Sequence, residues 1–160
     1  MKRILITGMS GTGKSTLVLR PAALGYRAID TDWDPEWEML VDSGVEGTST
    51  REWIWREERI ESLLSTEGSD VVFVSACVSN QSKYYPCFDH IIVLSAAIPV
   101  TVERLATRTN NPYGKCPQEV AAVLQFKRDI EPKLRRSATV EIDTNRPLDQ
   151  VLQEIVALAG

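Results

Sequence analysis

Gly8-Met9-Ser10-Gly11-Thr12-Gly13-Lys14-Ser15-Thr16 has the residue types and spacing of a phosphate cradle, G-x-x-x-x-G-K-S. Glycines let backbone N–H groups turn inward around a phosphate with no Cβ in the way. Lys14 can reach the β- and γ-phosphates of a nucleoside triphosphate, and the Ser15 hydroxyl can hold Mg²⁺. Gly8, Ser10, Gly11, Thr12, Gly13 and Thr16 are expected around the same phosphates. A second set of groups follows in Asp30-Thr31-Asp32. Of two carboxylates at one strand end, one can hold Mg²⁺ and the other can take a proton from an attacking hydroxyl. Ser15 and Asp32 are the expected metal residues; which Asp acts as base stays open. Arg104, Arg108 and Arg128 flank a Gly/Pro-containing segment, 109–116, and could deliver charge to a transferring phosphoryl group from a lid. Lys115 could do the same.

The elements that must position these groups alternate. Arg3–Thr7 reads as a buried strand ahead of the loop, and Lys14 to about Leu24 as the helix behind it, stopped by Gly25. Further strands are expected at Tyr26–Asp30, Val71–Ser75, His90–Leu94 and Thr139–Ile142. Helices are expected at Arg51–Ser65, N-capped by Thr48-Ser49-Thr50, at Pro99–Arg108, from Pro117 until Pro132 ends or kinks it, and at Pro147–Leu158. Residues up to Gly44 and Gly47 read as loop, and Asn80–Pro86 as a short helix or loop. Alternating strands and helices imply an α/β fold with a five-stranded parallel sheet between two helical layers. Ligands in such sheets bind beyond the carboxyl ends of the strands. That rule selects the loop, Asp30, Asp32, Ser75 through Asn80, and Asp143.

Trp33, Trp37, Trp53 and Trp55 crowd one stretch. They can build a core or wall an acceptor pocket, with Arg51, Arg56 or Arg59 adding charge. If Trp53 and Trp55 lie on a helix, they point to different sides. Trp33, Trp53, Arg56, Ser75, Cys77 and Asn80, with Asp32, are the expected acceptor contacts. The strand ending in Ser75-Ala76-Cys77 lacks the terminal Asp of a motor or switch ATPase, and no N-K-x-D guanine signature is present.

The 160 residues suit a single domain, with an acceptor region at about 32–66 and a lid at about 108–128. The net charge of −4 leaves no global basic surface for nucleic acid. Lys2 and Arg3 precede too few apolar residues for a signal peptide, and no apolar run spans a bilayer. Three cysteines without a C-x-x-C pair, and one histidine, argue for a reduced cytoplasmic protein without a zinc site. A monomer or homodimer is expected.

On these residues the chain resembles the P-loop small-molecule and nucleoside monophosphate kinases, the superfamily of shikimate, gluconate and adenylate kinases, over essentially its whole length. The resemblance implies the three-layer α/β/α P-loop NTPase fold with a small lid, and transfer from ATP with Mg²⁺ to a small-molecule acceptor. It implies that Asp30-Thr31-Asp32 matches the shikimate kinase D-x-D, one Asp serving Mg²⁺ and the other the acceptor hydroxyl. Arg104-Leu105-Ala106-Thr107-Arg108 is similar to the helix that opens the lid, which would place Arg108 against adenine or phosphates. Arg128 corresponds to the arginine returning from the lid. Asp143–Pro147, with Arg146, looks like the loop bordering adenine. The glycine triplet of shikimate kinase and the D-G-x-P-R of adenylate kinase are absent, so neither shikimate nor AMP carries over. The rival expectations are a nucleoside or nucleotide kinase, and a nucleotide-binding regulatory ATPase without fast transfer.

Overall fold

Three runs, Ile4–Ile6, Val72–Val74 and Ile91–Leu94, are buried on both faces and form the middle of a parallel sheet. The computed structural model describes residues 1–44, 50–68, 70–109 and 111–160. Its strands and helices run β1 (Lys2–Thr7), α1 (Lys14–Ala23), β2 (Arg27–Asp30), β3 (Glu38–Asp42), β4 (Arg51–Trp55), α2 (Glu57–Ser65), β5 (Val71–Ser75), β6 (His90–Ser95), α3 (Ile98–Thr107), α4 (Pro117–Ser137), β7 (Val140–Asp143) and α5 (Leu148–Ala157). A 3₁₀ turn occupies Gln81–Cys87, between β5 and β6.

The sheet order is β2-β5-β1-β6-β7, with every pair parallel. Alternation along the strands divides the interior in two. Leu5, Val72 and Val74 pack with Trp55, Ile60 and Leu63 on one face. Ile4, Ile6, Phe73, Ile92 and Leu94 pack with Leu17, Val151 and Ile155 on the other. This is the expected α/β/α sandwich. The chain builds outward from β1 to β5 and β2 on one side and to β6 and β7 on the other. The reversal of direction at β1 leaves a crevice beyond its carboxyl end, and the glycine loop sits there. No helix is long and apolar enough to cross a membrane among the described residues.

The stretch up to Gly44, expected as loop, carries strand β3, and two further expectations change. Arg51–Trp55 is not helical: it pairs antiparallel with Glu38–Asp42, Glu38 opposite Trp55 and Leu40 opposite Trp53, and the helix begins only at Glu57. Alternating β-branched and aromatic residues with a partner strand outweigh the weak helical pattern. Trp53 and Trp55 therefore share a face, as residues two apart on a strand must. Of the proposed cap, Thr48 and Ser49 lie outside the described residues, as do Gly47 and Asn110. The second is Pro132, expected to end or kink α4: the helix runs on past it to Ser137. Burial of Glu131 and Leu134 on either side holds the helix to the sheet and offsets the lost backbone hydrogen bond.

Candidate functional site

The loop leaves β1 at Thr7 and must turn beneath β6. A Cβ on Gly8 would stand 2.6 Å from the Leu94 carbonyl oxygen, so only glycine fits there. Thr12 closes the turn, its hydroxyl donating to the Met9 carbonyl at 2.7 Å. Gly13 then takes the left-handed conformation, φ 93°, as N-cap of α1, and no side chain caps that helix. The first-turn N–H groups of α1 are thus left to a ligand, together with the positive end of the helix dipole. Residues 10–17 line a cleft of about 370 Å³, shared with Asp32, Trp33, Arg104, Arg108, Thr144 and Arg146. The cradle, its cation and its hydroxyls fit a nucleotide's phosphate chain.

Lys14 is buried, with Nζ 3.3 Å from Asp32 Oδ2. Burial works against its charge, but Asp32, then Cys77 and Asp30, outweigh it and hold the pKa above that of an ordinary lysine. The other Asp32 oxygen accepts the Cys77 N–H at 3.2 Å. Asp30 receives the Asp32 N–H at 3.3 Å and a hydrogen bond from Ser15. Burial and the nearby Asp32 charge raise its pKa, the Ser15 contact opposing them. Ser15 is thus placed with Asp30, while Asp32 is turned to Lys14. Both pairs lie where a divalent cation beside phosphate would find hard oxygen ligands.

Glu38, which the sequence alone does not single out, belongs to this corner. It is 4 % exposed. Its Oε1 is 3.1 Å from Thr31 Oγ1 and its Oε2 accepts the Trp33 N–H at 3.2 Å. Burial, then the Asp32 charge, push its pKa up to about 7, against the hydrogen bonds from Trp33 and Thr31. Thr31 Oγ1 also accepts from Trp55 Nε1 at 2.9 Å and lies 2.9 Å from the Ser75 carbonyl. Thr31 has one hydrogen for two acceptors, Glu38 and the Ser75 carbonyl, and protonation of Glu38 frees that hydrogen for Ser75. The network holds Trp33 at φ 65°, a conformation rare for a bulky residue. Its place follows from the β3–β4 register, Glu38 opposite Trp55, which no local run of residues encodes.

Trp33 packs edge-on to Trp53, centroids 5.2 Å apart, and reaches Tyr113 at 6.2 Å across the cleft mouth. Other expected acceptor contacts do different work. Asn80 clamps the Trp55 backbone through both its oxygen (2.9 Å) and its nitrogen (3.1 Å). Ser75 is fully buried beneath the site. Arg56 donates to the Pro35 carbonyl at 2.8 Å on the outside of the turn. Cys77 stays beside Lys14 and Asp32, with burial raising its pKa most. Of these four expected substrate contacts, Cys77 lies beside Asp32, and the hairpin ties Asn80 to β4.

On the far wall, Arg104 spans to Thr144, Nη1 to Oγ1 at 2.8 Å and Nη2 to the carbonyl at 2.5 Å. Arg108 donates from Nη2 to the Tyr113 carbonyl at 2.6 Å and keeps a buried Nε without a partner. Arg146 is held by the Asp143 carbonyl and Glu154. Arg128 is not brought to the cleft. It is exposed and donates to Gln125, whereas Lys127, about 100° round the helix, turns inward to the Ala96 carbonyl and Glu131. Lys115 is likewise spent, its Nζ donating to the carbonyls of Leu105, Ala106 and Arg108 at the end of α3.

Comparison with known proteins adds relatives. A family model described as an AAA domain matches residues 4–125. A "Nucleotide-binding protein" of Thermosipho africanus is 26 % identical over 159 residues, covering 98 % of this chain and 54 % of its own length. The chain therefore spans about half of that relative. Among solved structures, shikimate kinase from Acinetobacter baumannii in complex with shikimate superposes with a TM-score of 0.64 at 15 % identity, covering 99 % of this chain and 92 % of that one. A gluconokinase from Sinorhizobium meliloti gives 0.61 at 21 %, covering 99 % and 93 %. At such identities the structural likeness is one of fold.

Proposed function

The chain belongs to the AAA domain family, and on that premise we propose that it is an ATP-dependent phosphotransferase acting on the hydroxyl of a small molecule. One observation carries the reading: the loop cation Lys14 meets the carboxylate of Asp32, two residues past β2, at 3.3 Å in the same cleft as the open helix N-terminus. A site that only bound nucleotide would need the cradle but not a second carboxylate beside the outer phosphate.

In this reading the loop N–H groups and Lys14 bind the phosphates, and Arg104 and Arg146 border the nucleotide. Ser15 with Asp30 or Asp32 would hold Mg²⁺, which supplies charge neutralisation on the phosphates. The acceptor oxygen attacks the γ-phosphorus, a P–O bond forms to it, and the P–O bond to the departing ADP breaks. Asp32, paired with Lys14, takes the hydroxyl proton. Arg108, with its free Nε, stabilises the equatorial oxygens. The acceptor side runs from about 32 to 66 and the lid from about 108 to 128. In this reading the protein works in the cytoplasm, as monomer or homodimer, without a nucleic-acid or membrane partner.

A second reading, a regulatory nucleotide-binding protein, is favoured by the residue at the β5 terminus, Ser75, which stands where a motor ATPase would carry an acid. ADP release measured against a library of hydroxyl compounds separates the readings. Stimulation by an acceptor, with a ³¹P signal for a new phosphomonoester, supports transfer. Tight ATP-analogue binding with no stimulated turnover supports regulation.

A further inference from the structure

The chain from Ala28 to Thr50 contains seven acidic residues and no lysine or arginine. Within it, Asp32 and Trp33 line the cleft. The arginines that follow it are committed elsewhere. Arg51 pairs with Asp42 at 3.7 Å, Arg56 with the Pro35 carbonyl, and Arg59 with Glu36 at 3.2 Å while lying over Trp37 at 5.2 Å. Lys14, the cation nearest the floor, is held by Asp32. Arg104 and Arg146 are anchored on the opposite wall, and Arg108 is anchored to the lid segment at Tyr113. Where that stretch lines the cleft, at Asp32 and Trp33, an anionic acceptor would therefore meet a carboxylate and an aromatic ring, while Arg56 reaches the outside of the turn.

What faces the acceptor space instead is aromatic. Trp33 is 54 % exposed although it is held in a strained conformation by two hydrogen-bonded neighbours, Glu38 through its N–H and Thr31 through Glu38. Strain maintained to keep a large apolar side chain in solvent points to a role for that side chain. Trp53 supports it edge-on, and Tyr113 stands across the mouth. The ring faces carry negative quadrupole potential, and Asp32 lies at the adjacent position of the chain.

From this we infer that the acceptor is a positively charged hydroxyl compound, an amino alcohol or amino sugar, with its ammonium against Trp33 and the Asp32 side and its hydroxyl toward the loop. The inference rests on the phosphotransferase reading. It separates this chain from acceptors bearing carboxylate or phosphate.

Two measurements test it. The first is ATP-dependent transfer to hydroxyl compounds grouped by charge, with glucosamine, glucose and gluconate as a matched trio, read by ADP release and ³¹P spectra. Cationic acceptors are expected to show at least tenfold higher kcat/KM than neutral or anionic counterparts. Trp33→Ala is expected to raise their KM at least tenfold, and Trp33→Phe to restore most of the loss. A preference for neutral or anionic acceptors overturns the inference and leaves the phosphotransferase reading standing. The second needs no turnover: quenching of Trp33 fluorescence, obtained as wild type minus Trp33→Phe, by caesium and by iodide relative to N-acetyltryptophanamide. Caesium is expected to be the more effective. Stronger quenching by iodide overturns the inference. An absence of transfer to every compound, with ATP-analogue binding intact, instead removes the phosphotransferase reading and the acceptor with it.

Discussion

Lys14 and Asp32 form a nearly buried ion pair, Nζ to Oδ2 3.3 Å, that joins the phosphate loop to the end of β2. Burial works against the Lys14 charge, and Asp32, with Cys77 and Asp30, holds its pKa above that of an ordinary lysine. Lys14→Ala removes the cation expected on the transferring phosphoryl group. Turnover should fall by about 10²–10³, or about 3–4 kcal/mol of transition-state stabilisation. Asp32→Asn should lower kcat far more than it weakens ATP-analogue binding. Steady-state kinetics with calorimetric binding separates the two. A Lys14→Ala variant with unchanged turnover removes the mechanism.

Glu38 makes the corner sensitive to pH. Its pKa in the folded protein is about 7, against an ordinary value of 4.5. Between those values the folded chain holds a proton that the unfolded chain has lost. The stabilisation is therefore complete below the unfolded pKa and disappears as pH rises through 7. Glu38→Gln keeps a donor toward Thr31 and an acceptor for the Trp33 N–H, without the charge. Relative to this variant, the wild type should lose on the order of 2 kcal/mol between about pH 5 and about pH 8, allowing for solvent screening. Urea unfolding at both pH values measures it. Parallel pH profiles for the two proteins would show that Glu38 is not the titrating group.

The sheet, its parallel connections and the loop were legible because they depend on local signals: apolar runs of strand length, glycines at fixed spacing, and a helix after them. The β3–β4 hairpin was not, because its pairing partner lies across a segment with no compact turn signature. With the hairpin went the roles of Trp55, Asn80 and Glu38, all of which depend on register rather than neighbours in sequence. Arg128 shows a related limit. Its distance from the lid is visible in the chain, but helix phase decides that Lys127 faces the sheet and Arg128 faces solvent.

Arg104 should act as a tie rather than only as a charge. Its two nitrogens grip Thr144 at 2.8 and 2.5 Å while Nη1 also approaches the Gly11 carbonyl at 3.4 Å. The loop is thereby fixed to the end of β7. Lysine keeps the charge but not the fork. Arg104→Lys should weaken nucleotide binding by about tenfold with little change in its salt dependence, a pattern expected for lost geometry. Calorimetry at two salt concentrations reads it. Equal affinity for variant and wild type would show that the tie is not needed for the nucleotide.

Pro132 offers a prediction about stability that leaves the cleft untouched. It sits inside α4, which continues from Pro117 to Ser137. A proline there supplies no N–H to the carbonyl of Arg128, one turn before it, and presses its ring on the same turn. Lys127, bound to the Ala96 carbonyl at 2.7 Å and to Glu131 at 2.8 Å, and buried Leu134 keep the helix docked through that defect. Pro132→Ala restores the hydrogen bond without disturbing these anchors. The gain should be about 1–2 kcal/mol, below the roughly 3 kcal/mol seen for proline in an exposed helix interior, because the unfolded chain also becomes freer. Thermal unfolding should show a higher Tm with unchanged ATP-analogue affinity. A lower Tm would mean that the proline ring packs favourably against the sheet side, and that the helix bends there to accommodate it.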